Sequence, residues 1–150
     1  VACHPIPPGI VSQDPEVIRE WWRHAPFAVL LATGVVFDGI DLPAGPAARV
    51  RPAAPAGPLL ATPEGRWIFL VHPGHPLRPD LAAHPDAVLH AGGSWLPAPP
   101  TPQPAGRGYW VTSPDEVGWR LPDSYAVQAA ALAALAAPTR AVTRLSAEPR

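Results

Sequence analysis

Apolar positions in the first third of the chain change period once, and that change sets the expected elements. Val17, Ile18, Trp21 and Trp22 recur at helical spacing. Asp14 suits an N-cap, Pro15 suits the first helical position, and Glu16 favours the positive end of the helix dipole. Pro26 ends the predicted helix. After it the helical period disappears. Phe27 to Ala32 is a short apolar run that predicts a buried strand, Thr33-Gly34 a turn, and Val35 to Leu42 a second strand.

Further along, Ala44 to Gly57 reads as a loop of Pro, Ala and Gly, and the stretch Ala44 to Pro58 is a candidate for poor order. Leu59 to Thr62 and Arg66 to Val71 predict strands joined across Pro63-Glu64-Gly65. His72 to Pro85 is irregular, with one helical turn expected near 79–83. Ala87 to His90 and Ser94 to Ala98 predict a hairpin across Gly92-Gly93, and Arg107 to Thr112 another strand. Pro122-Asp123-Ser124 starts an Ala-rich helix that runs to Pro138 and carries Leu132 and Leu135 as its apolar ridge. Strands and helices without strict alternation predict an α+β fold: a mixed β-sheet with flanking helices. The expected division is a Pro-rich leader over 1–13, a domain over 14–122, and a C-terminal helix and tail over 123–150.

Composition changes this picture in three ways. Pro makes up 24 of the 150 residues, about three times the usual share, which argues for short elements and stiff connections. The formal net charge is −1 and every basic residue is Arg, so any polyanion would have to meet a local Arg cluster rather than a global basic field. The lone Cys3 excludes an internal disulfide, and no apolar run approaches the roughly 20 residues of a membrane span. A cytoplasmic protein without membrane contact is the expectation, and the lack of any Met suggests a fragment or a processed form.

Candidate chemistry centres on "VVFDGIDLP". Two carboxylates two apart on a strand share a face and can hold a divalent cation together. Asp38 and Asp41 are three apart and should face opposite ways, unless a bulge at Gly39 realigns them. Pro43 stands where a same-face partner of Asp41 would lie. The turn Thr62-Pro63-Glu64-Gly65-Arg66 offers amides and a guanidinium to a phosphate, or is a plain hairpin turn. Arg49, Arg51, Arg107 and Arg120 could extend such a face. His72 and His75 flank a Pro-Gly turn without a third ligand nearby, and Cys3-His4 is weaker still, so no zinc site is expected. The six Trp suit packing, with Trp95 and Trp110 also able to stack on bases.

The order of these pieces is more informative than any one of them. "DPEVIREWWRHAPFAVLLATG", "VVFDGIDLP", "GPLLATPEGRWIFLV" and "GGSWLPAPPT" together resemble the bifunctional DNA primase/polymerase (prim-pol) domain of the archaeo-eukaryotic primase superfamily, in its divergent actinobacterial form. The similarity spans about Asp14 to Thr101. It implies a primase-polymerase-like sheet around a nucleotide cleft, here truncated at the N-terminus. It also implies two Mg²⁺ or Mn²⁺ ions assisting attack of a 3′ hydroxyl on a nucleoside triphosphate. Carried across, Asp41 matches the first metal-binding acid, Pro43 replaces the second, and the third falls at about Val88, with Asp86 and His90 close by but neither of them matching it. The family His is absent; Trp67 or Ile68 takes its place, and Arg66 is the nearest phosphate-holding residue.

Three readings follow. A primase/polymerase-like domain in DNA replication or mobile-element biology, with reduced or absent catalysis, would bind a nucleoside triphosphate, single-stranded DNA, or a helicase or other replication partner. An active nucleotidyltransferase would need a rearranged site built from Asp38, Asp41 and Arg66, with Thr62 on the phosphate. A non-catalytic interaction or accessory module would fill the cleft with side chains such as Trp67.

Overall fold

The computed structural model describes residue 12, residues 14–24 and residues 29–137. The leader's other residues, Cys3-His4, the first part of the 27–32 strand and the tail beyond 137 lie outside the described residues, as do the side chains of Trp21 and Trp22.

Helix α1 (Pro15–His24) starts where its cap predicts: the Asp14 carboxylate accepts the Glu16 amide at 2.9 Å. Strand β1 (Leu30–Ala32) is followed by a tight turn in which the Gly34 amide donates to the Phe37 carbonyl, leaving Val35 and Val36 exposed at its tip. The second strand, β2 (Asp38–Pro43), therefore begins three residues later than the β-branched run suggests. Two valines with strand propensity have no neighbour to pair with, and propensity alone does not make a strand.

Residues 44–50, expected as loop, form helix α2 (Ala44–Val50). Pro46 is the third helical residue. The first amides of a helix have no partner within it, so a proline there loses no hydrogen bond. Ala47 and Val50 bury against the sheet, and the Ala44 amide ties the helix start to the Gly65 carbonyl. Strands β3 (Leu59–Ala61) and β4 (Arg66–Val71) form the predicted hairpin. A single helical turn, α3 (Pro79–Ala82), and strand β5 (Val88–His90) follow.

The expected 87–98 hairpin does not form. Ser94 does close a turn onto the Ala91 carbonyl, but β5 pairs with β2, whereas β6 (Trp95–Pro97) leaves the sheet and pairs with β1. Thr33 diverts the chain: its amide and hydroxyl both donate to the Ser94 carbonyl, and the hydroxyl also reaches the Ala91 carbonyl. Gly34 permits the approach; a Cβ there would stand 2.3 Å from the Gly92 Cα.

Strands β7 (Pro102–Gln103) and β8 (Gly106–Arg107) make a small hairpin, and β9 (Tyr109–Thr112) closes the main sheet. That sheet runs β5-β2-β4-β3-β9, and every pairing in it is antiparallel. The α+β organisation with flanking helices holds, but the mixed sheet expected from sequence is antiparallel among the described residues.

The sheet is buried on both faces. On one, Ile40, Leu42, Leu59, Phe69 and Val71 pack against α2, α3 and helix α4 (Ser124–Ala136) through Val50, Leu81, Val127 and Ala131. Val127, Ala131 and Ala134 form the fully buried ridge of α4, with Leu132 and Leu135 only partly buried beside it. On the other face, Leu60, Ile68 and Leu70 are covered by Leu96 of β6, with Leu31, Phe37, Trp110 and Leu121 around them.

Candidate functional site

The β2–β4 ladder runs without interruption from Asp38↔Val71 to Pro43↔Arg66. No bulge realigns Gly39, so alternation holds and the two carboxylates face opposite ways. Asp38 shares the helix-covered face with Ile40 and Leu42. It is 2 % exposed; its Oδ2 accepts the Gly74 amide at 2.9 Å, and its Oδ1 is buried without a hydrogen-bond partner among the described residues. A site built from both aspartates is excluded by the thickness of the sheet.

Asp41 lies on the second face, 7 % exposed. Its neighbours follow from the register. Directly across β4 stands Ile68, and directly across β5 stands Val88. The diagonal neighbours on that face are Arg66 and His90, and both reach the carboxylate. Arg66 Nε donates to Asp41 Oδ1 at 2.8 Å, and its Nη2 donates to the backbone carbonyls of Asp41 and Asp86. His90 Nε2 lies 3.1 Å from Asp41 Oδ2. A carboxylate can only accept, so this nitrogen carries the proton. His90 Nδ1 is 3.2 Å from the Ser94 hydroxyl, which extends the chain of bonds to the Gly92-Gly93 turn.

Arg66 and Asp41 thus meet in a direct ion pair on a nearly buried carboxylate, and Trp67 is not what covers them. Trp67 pairs with Leu42 and Ala61 and packs into the opposite, helix-side core. Thr62 follows β3 on the Arg66 side of the hairpin: its amide donates to the Arg66 carbonyl, and its hydroxyl is buried with no partner among the described residues. Ser94 was not among the sequence-based candidates, and His90 was named only as lying near the position of the third acid. A His four residues before a Ser is too common a pattern to single out, and the β2–β5 register is what brings His90 to Asp41.

The remaining candidates disperse. Arg49 Nη2 donates to the Ala134 carbonyl and ties α2 to the end of α4; Arg120 folds back on the Val117 carbonyl; Arg51 and Arg107 are exposed. His75 packs its ring 4.8 Å from that of Tyr125, and His72 is exposed. Trp110 joins the second-face core, whereas Trp119 is 71 % exposed. Among the described residues no group of three or more His, Cys, Asp or Glu side chains is arranged to hold a metal ion. No described helix is long and apolar enough to cross a membrane.

Chemically, the arrangement is a nearly buried carboxylate with one N–H on each oxygen, beside a partly exposed guanidinium. It can meet an anion through the guanidinium. It offers one carboxylate where a two-metal centre needs several. Comparison of this chain with protein-family descriptions, with curated proteins and with solved structures finds no match.

Proposed function

We propose that this chain is a primase/polymerase-like domain that binds a nucleoside triphosphate or single-stranded DNA and no longer catalyses nucleotidyl transfer. The observation that carries the reading is the clustering of positions 41, 43 and 88. Residues 41 and 43 share one face of β2, and residue 88 is the direct cross-strand neighbour of 41. The resemblance puts the first two metal-binding acids at 41 and 43 and the third at about 88, and a two-metal centre needs its acids that close together. Of the three, only Asp41 is a carboxylate; the side chains of Pro43 and Val88 have no atom that can ligate a cation. Arg66, the nearest residue that could hold a phosphate, lies beside it.

The test is a thermal-shift titration with a deoxynucleoside triphosphate and with a labelled single-stranded oligonucleotide, run beside a primer-extension assay in Mn²⁺. Either ligand at ~100 times its Kd should stabilise the fold by about 2.7 kcal/mol, with no extended product. Primer extension would mean that catalysis persists. A folded protein that responds to neither ligand would favour the interaction-module reading, for which the closed hydrogen bonding of Asp41 is the supporting observation.

A further inference from the structure

A carboxylate that bridges two divalent cations offers one oxygen to each. In this chain both oxygens of Asp41 are already taken by side-chain N–H groups, Arg66 Nε on Oδ1 and His90 Nε2 on Oδ2. Arg66 is held in place by two further bonds from Nη2, while its Nη1 has no hydrogen-bond partner among the described residues and its side chain is 30 % exposed. Beyond His90, the Ser94 hydroxyl closes the chain at a turn with open space above it: a Cβ at Gly92 or Gly93 would meet nothing within 4 Å.

We propose that Arg66, supported by the Asp41–His90–Ser94 chain, takes the place of the cations, so that this site binds a polyphosphate anion without any divalent metal. The inference rests on the nucleotide-binding reading above and adds that the binding is metal-independent. With Nε and Nη2 committed to Asp41 and Asp86, the two N–H donors of Nη1 are the ones left for a phosphate oxygen, and a guanidinium keeps its charge at any working pH. Asp41 positions Arg66 rather than contacting the ligand. Its negative charge also opposes an incoming phosphate, which gives the proposal a distinctive sign. Removing that charge should tighten binding, whereas in a metal-mediated site the same change abolishes it.

Calorimetric titration of the full chain separates the cases, using dATP and, separately, inorganic triphosphate, each in excess EDTA and again in Mn²⁺. The expected result is an affinity in EDTA within about twofold of that in Mn²⁺. Asp41→Asn, which keeps an acceptor for Arg66, should bind roughly tenfold tighter, the scale of one charge-assisted contact. Arg66→Ala should lose binding; if that variant does not fold, the Asp41→Asn comparison and the EDTA comparison still decide. Equal affinity for the two ligands would assign recognition to the phosphate chain, and binding of dATP alone would assign it to the whole nucleotide. Binding that needs Mn²⁺ and vanishes in Asp41→Asn would overturn the metal-independent inference while leaving the nucleotide-binding reading intact. A folded wild type that binds neither compound in either condition would remove both.

Discussion

The two aspartates of β2 show how one residue of spacing decides chemistry. Asp41 is surrounded by donors, so substitution leaves those donors stranded. Asp41→Ala removes the acceptor for Arg66 Nε and His90 Nε2, and should cost about 2–4 kcal/mol in chemical denaturation, the scale of breaking a largely buried ion pair. Asp38 is the opposite case. It is buried with one oxygen satisfied and one unpartnered among the described residues. Asp38→Asn keeps the acceptor for the Gly74 amide and removes a buried charge, so stability should rise by about 1 kcal/mol. A loss of stability on that change would mean that the new N–H donors, buried where Oδ1 has no partner among the described residues, cost more than the charge they replace. The opposite facing of the two residues was legible from their spacing. Their different surroundings were not, because these come from β4, β5 and the 72–76 loop.

Among the elements, the connections decide more than the strands. Gly34 has φ +91° and meets the Gly92 backbone, the point where the chain leaves the sheet to form the second layer. Gly34→Ala should destabilise by more than about 2 kcal/mol, through both the backbone conformation and the clash, and should shift the unfolding midpoint accordingly. Gln128 of α4 is fully buried and holds the 76–78 segment: its Oε1 accepts the Arg78 amide, and its Nε2 donates to the Pro76 carbonyl and the Ser124 hydroxyl. Gln128→Leu leaves an amide and a carbonyl unpaired, and should cost about 2–3 kcal/mol. Helix α1, the β3–β4 hairpin and α4 could be read from caps, turn residues and periodicity, all of them local signals. Helix α2 could not, since its Pro, Ala and Gly content mimics a loop and its stability comes from burying Ala47 and Val50. The failed 87–98 hairpin is the same lesson: the turn is local, but the choice of pairing partner belongs to β1 and β2.

At the scale of the molecule, the antiparallel sheet with helices on one face and the β1–β6 pair on the other makes α4 part of the core rather than an appendage. A chain ending at residue 122 would expose Ile40, Leu42, Phe69 and Val71, and should lose cooperative unfolding in a thermal melt. The sequence by itself determined the α+β class, the positions of most strands, the opposition of Asp38 and Asp41, and the hairpin whose turn ends at Arg66. Each of these follows from side-chain alternation, capping or turn chemistry within a few residues. Only the tertiary structure decided that β5 lies beside β2, bringing His90 to one oxygen of Asp41 and setting Val88 directly opposite. Register between strands far apart in the chain is chosen by which faces must be buried together, and no local pattern carries that choice.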